Sequence, residues 1–92
     1  PEVSTINAVS VSVEPHSTPT EMTWGHNHDE LGVVIEGELE IEISGEGKYH
    51  LKKGDSIFIK RNTPHKHRNP SAKMSVAHWF SIDIDSLLLS KL

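Results

Sequence analysis

The segment Glu38–Ile43, ELEIEI, alternates glutamate and aliphatic residue without a break. In an extended chain successive side chains point to opposite faces, so Leu39, Ile41 and Ile43 share one side and Glu38, Glu40 and Glu42 the other. A helix would scatter both sets around its surface. The segment therefore reads as a strand with one dry face and one solvated acidic face, entered through Gly37 and left through the turn Ser44–Gly47.

The same period of two runs through most of the chain. Val9, Val11 and Val13 alternate with Ser10 and Ser12, which predicts a half-buried strand ending at Glu14 and Pro15. His16 to Thr20 has loop composition, and Glu21 to Trp24 reads as a short strand. Leu31 to Ile35 is nearly all apolar, as a strand covered on both faces would be. Tyr49 and Leu51 continue the inward register while His50 points out. Beyond the turn Lys52–Asp55, Ile57 and Ile59 form the next strand; Lys60 to Pro64 is a loop, His65 to Asn69 is extended, and Asn69 to Lys73 turns again. The last strand spans Met74 to Ile84, with Val76, His78, Phe80, Ile82 and Ile84 assigned to its inner face. Trp79 then faces outward, towards a subunit contact. The tail Ser86–Leu92 reads as a short helix or an arm whose leucines need cover. Short strands about 8 to 12 residues apart, separated by turn signals, indicate an all-β sandwich or barrel. Residues 1–92 form one domain, with no repeat and no linker.

Composition narrows the chemistry. Nine Lys and Arg against 13 Asp and Glu give a net charge of -4, without the basic stripe that direct nucleic-acid binding uses. No cysteine is present, which removes disulfides, thiolate nucleophiles and Cys-type zinc sites and agrees with a cytoplasmic location. No apolar run approaches the roughly 18 residues of a membrane span, and no secretory leader is read. The start at Pro1 agrees with removal of an initiator Met or with excision from a longer protein. Seven histidines are many for 92 residues. Two of them, His26 and His28, crowd with Asp29 and Glu30 into five positions at the head of a hairpin.

Two stretches carry a family resemblance. From Gly54, five residues lead to Lys60, Asn62, His65 and Asn69. This spacing resembles the second cupin motif, G-x5-P-x-G-x2-H-x3-N, with Lys for Pro and Asn for Gly. Asn is the best non-glycine residue for a left-handed turn, so that second replacement is mild. Glu30 and Gly37 have the spacing that ends the first cupin motif, G-x5-H-x-H-x3-4-E-x6-G. The histidines fit it in either of two registers. With His26 and His28 as the pair, the gap to Glu30 is too short; with His26 as the second member, Trp24 replaces the first and His28 is an extra loop histidine. The motifs occupy about residues 25–37 and 54–69.

The resemblance implies a double-stranded β-helix, the cupin jelly-roll barrel, with a mononuclear metal site inside it. Its ligand candidates are His26, His28, Glu30 and His65. His67 shares the parity of His65, and His78 lies on the face read as inner; these two are candidate acid/base residues or supports for the ligands. Imidazoles with one carboxylate accept Fe, Mn, Ni, Cu or Zn and leave positions for a small organic ligand. His16 and His50 read as surface residues. Three functions follow as expectations: a metal-dependent oxygenase, isomerase or lyase; a non-catalytic ligand-sensing or regulatory domain; and a metal-free cupin marked by Trp24. A homodimer is expected, because the domain is small and its apolar tail requires burial.

Overall fold

The computed structural model describes residues 6–17, 25 and 27–82. Trp24, His26, the short strand expected at Glu21 to Trp24, the expected end of the last strand at Ile84 and the expected C-terminal helix or arm lie outside the described residues. Seven strands are present: β1 (Ile6–Val13), β2 (Asp29–Glu36), β3 (Glu38–Ile43), β4 (Gly47–Lys52), β5 (Ser56–Ile59), β6 (His65–Arg68) and β7 (Ser75–Ile82). They form two antiparallel sheets, one ordered β1-β7-β2-β5 and the other β4-β3-β6. No helix occurs among the described residues, and so none is long and apolar enough to cross a membrane. The all-β jelly-roll expectation holds.

Between the sheets lies one core of Val34, Leu39, Ile41, Ile43, Leu51, Ile59, Ala77 and Trp79. The alternation on β3 is confirmed residue by residue: Leu39 and Ile41 are fully buried, Ile43 nearly so, and the glutamates between them are partly exposed. Those glutamates are more than solvated. Glu40 receives the Arg68 guanidinium at 3.4 Å, Glu42 lies 4.0 Å from Lys48, and Glu38 lies 3.5 Å from His50. An acidic central strand flanked by bases on β4 and β6 makes the outer face of this sheet a cross-strand charge ladder.

Three expectations need correction. On β7 the inner face belongs to Ser75, Ala77 and Trp79, all buried, so Val76, His78 and Phe80 are outward. Both faces of this strand are apolar, so alternation cannot tell inside from outside. The decisive residue is Gly32 on β2, directly opposite Trp79. A Cβ there would come within 2.6–2.8 Å of the indole, so only glycine leaves room for the ring inside the barrel. The second correction concerns β1. Val9 and Val11 pair with Trp79 and Ala77 and so share the interior face, yet they are 57% and 36% exposed. Only Val13 packs on the core, because β1 is the edge of the wider sheet and faces a narrower one. Third, Tyr49 has inward parity opposite Ile41 but is 41% exposed on the edge strand β4.

The family's second-motif asparagine is a structural node. Fully buried, Asn69 donates from Nδ2 to the carbonyls of Val13 (2.9 Å) and Lys73 (2.7 Å). Its Oδ1 accepts from the Ser71 amide and hydroxyl. One side chain thereby ties the end of β1 to the turn between β6 and β7, satisfying buried groups that secondary structure leaves open.

Candidate functional site

Strand direction divides the interior into two ends. Val34, Leu39, Leu51, Ser75 and Ala77 lie at one end, where β2 turns into β3 at Gly37 and β4 turns into β5 at Gly54. At the opposite end β2 begins, β3 finishes and β6 begins, and there the interior turns polar. Glu30 has the parity of Gly32 and Val34 and pairs with the buried Ile59. His65, only 3% exposed, pairs with Ile43. Glu30 and His65 thus enter the same end of the barrel from opposite sheets.

His65 is held by its own loop. Its Nδ1 stands 2.9 Å from the Thr63 carbonyl. A carbonyl only accepts, so Nδ1 carries a proton; in the neutral ring of that tautomer Nε2 is the nitrogen with the lone pair, the atom through which an imidazole ligates a metal. The loop makes its turn at Asn62, whose φ of 60° is the left-handed value expected where the motif has glycine. Gly25 packs against this turn. A Cβ on it would lie 2.3 Å from the backbone of Asn62 and Thr63, so the two motif regions touch at the barrel mouth.

His67 also faces inward, opposite Ile41. Its ring centroid is 5.5 Å from that of His65 and 4.8 Å from that of Trp79, tilted in both cases. It therefore sits between the candidate ligand and the indole. Trp79 Nε1 is buried inside the barrel and has no hydrogen-bond partner among the described residues. The alternation of β7 predicts this tryptophan outward; its pairing with Gly32, a residue far off in sequence, is what places it inside. His28 is partly buried just ahead of β2, and its Nδ1 lies 3.2 Å from Asn27 Oδ1. His78 is outside, on the face opposite Trp79, next to a shallow hollow lined by Ala8, Ser10 and Phe80. His16 and His50 are on the surface. Among the described residues no group of three His, Asp or Glu side chains stands close enough to hold an ion.

The family model of the cupin domain matches residues 9–83. The chain belongs to the cupin family. A 57-residue stretch of this cupin is 46% identical to the oryzines biosynthesis cluster protein J of Aspergillus oryzae (strain ATCC 42149 / RIB 40), covering 62% of the chain and 31% of that protein. Over 68 residues it is 35% identical to the HTH-type transcriptional regulator PuuR of Escherichia coli (strain K12), covering 74% of the chain and 36% of the regulator. It thus spans about a third of the length of these curated relatives. Among solved structures, the cupin domain of an XRE family transcriptional regulator from Enterobacter cloacae superposes with a TM-score of 0.74 at 26% identity, covering 85% of this chain and 81% of that one. CoII HppE superposes with a TM-score of 0.75 at 18% identity, covering 84% and 45%, a likeness of fold alone.

Proposed function

We propose that this cupin domain binds one divalent transition metal at the polar end of its interior and presents it to a small organic ligand. The carrying observation is His65: buried, its Nδ1 directed at the Thr63 carbonyl 2.9 Å away, its ring at the end of the interior where Glu30 enters. The described residues thus supply a nitrogen and a carboxylate, the donor types that Fe, Mn, Ni, Cu and Zn accept. The third donor comes from His26, with His28 as a fourth candidate. Bound there, the ion would supply Lewis acidity or an O2-binding position. The chain's own contribution is to aim His65, to exclude water with the Ile43 and Ile59 side chains, and to offer the Trp79 N–H and the His67 ring beside the donors.

The test is elemental analysis of tag-free protein, before and after reconstitution, for the wild type and for His65→Ala. Near one equivalent per chain in the wild type, lost in the variant while the β-sheet circular dichroism stays, is the expected outcome. A variant with full occupancy, or a wild type that takes up no metal, overturns the reading.

Whether the site turns over a substrate or only senses a ligand is a separate matter, and the sensing reading has its own support. The solved domain with the most even mutual coverage reported above comes from a transcriptional regulator. The charge of -4 leaves DNA contact to another domain or partner. We further propose a homodimer formed through the outer face of the wider sheet. There Leu31, Val33 and Phe80 are half-exposed and Phe58 is 49% exposed, an apolar patch of the kind that associates. Sedimentation of Phe58→Lys, expected monomeric against a dimeric wild type, tests this.

A further inference from the structure

Beside the donor residues lies a carboxylate with no place in the ligand set. Asp29 opens β2 and points away from Glu30, yet it is only 7% exposed. Its Oδ1 accepts the backbone N–H of Arg61 at 2.9 Å, and the Arg61 Nε lies 3.6 Å from the same oxygen. Burying a carboxylate is costly unless it is paired and hydrogen-bonded, so this contact is a fixed part of the fold. Its partner is equally specific. Arg61 precedes Asn62, the left-handed turn residue, and Thr63, whose carbonyl holds the His65 ring. A continuous path runs from Asp29 through the Arg61 amide and the Asn62 turn to the Thr63 carbonyl and the His65 Nδ1 proton. Glu30 is bonded to Asp29 in the chain, so one side chain registers the strand bearing the carboxylate donor against the loop that aims the imidazole donor.

We infer that Asp29 is a positioning residue, which through the Arg61–Thr63 loop sets the tautomer and direction of the His65 ring. Without it the Arg61 amide loses its acceptor and the loop loses its tie to β2. The Thr63 carbonyl then no longer sits at one fixed place, and His65 is free to carry its proton on Nε2. A ring in that tautomer presents N–H where a metal needs a lone pair. The effect on metal binding rests on the function proposed above; the effect on the tautomer does not.

The experiment uses the full chain, 15N-labelled and free of metal, at a pH well above the ordinary imidazole value of about 6.5. Long-range 1H–15N correlation reports which ring nitrogen of His65 carries the proton. The wild type is expected to show Nδ1 protonated. Asp29→Ala should move His65 to the Nε2 form or to a mixture, whereas Asp29→Asn, which keeps an acceptor for the Arg61 amide, should restore the wild-type pattern. Titration with Zn2+ should follow, with affinity about tenfold or more lower in Asp29→Ala and largely recovered in Asp29→Asn. If Asp29→Ala does not fold, Asp29→Glu takes its place, since its longer side chain carries the acceptor past the amide. A folded Ala or Glu variant whose His65 tautomer is unchanged overturns the inference. A tautomer that shifts as described in a chain that binds no Zn2+ upholds the positioning role and refutes the metal reading instead.

Discussion

The two ends of the barrel interior are built from the same strands and obey opposite rules. At the end holding Val34, Leu39, Leu51 and Ala77, the inward side chains are apolar except Ser75 and the hydrogen-bonded Asn69, and β2–β3 and β4–β5 close through tight turns. At the other end, Glu30, His65 and His67 replace aliphatic residues at positions of the same parity, and the five-residue loop 60–64 closes it beside the short β3–β4 turn. The first end uses burial of apolar surface to hold the sheets together. The second accepts buried polar groups and meets their needs with the Thr63 carbonyl and the Arg61 amide. One barrel therefore separates stability from chemistry along its own axis. The division predicts that most changes at the mouth leave the packing of the base intact.

The hardest blow to this division comes from the apolar end. Leu39→Ala should cost about 2–5 kcal/mol of unfolding free energy, as leucine truncations in close-packed cores do. Urea denaturation measures it, and the His65 tautomer should be unchanged in the folded fraction. A loss confined to the His65 end would show that the two ends are not separable.

Gly32→Ala probes the boundary between the ends. The added methyl meets the Trp79 ring at contact distances the indole has to yield to, which should cost about 1–3 kcal/mol. Because Trp79 lies against His67, the near-ultraviolet circular dichroism of the indole should change as well. An unchanged signal with unchanged stability would mean that the ring is not wedged between Gly32 and His67.

Outside the barrel the effects are smaller. Glu40→Gln removes one rung of the charge ladder and leaves Arg68 without its carboxylate, at about 0.2–1 kcal/mol and less at high salt. Least of all is Tyr49. Its phenol donates to Glu46 at 3.2 Å, and this hydrogen bond, then the negative charge of Glu46, raises its pKa above the usual phenol range. The folded chain holds the proton more tightly than the unfolded one. The small stabilisation is thus present below the ordinary phenol pKa and lost as pH rises through the raised value. Absorbance titration should show the phenolate forming late in the wild type and at its ordinary pH in Glu46→Gln.

These comparisons also explain what could be read from the sequence. β3 was legible because its two faces differ in kind, glutamate against aliphatic. β7 was not, because Val76 and Phe80 on one side balance Ala77 and Trp79 on the other; the tie is broken by Gly32, 47 positions away. The turn at Asn62 and the burial of His65 followed from motif spacing, since the loop geometry is local. The Asp29–Arg61 contact joins residues 32 positions apart and leaves no local pattern. Val9 and Val11 have the period of a covered strand, but cover depends on how far the opposite sheet extends, and periodicity does not carry that.

The pairing of β1 with β7 has a mechanical consequence. Ile6 lies opposite Ile82, and Val13 opposite Ser75. The first described strand therefore begins, and the last one ends, on the rim where Asp29 stands. A force applied between the start of β1 and the end of β7 loads that ladder one rung at a time, from the rim downward. The barrel would open under tension like a zipper, its edge strand peeling away first and the rungs nearest the Asn69 node parting last.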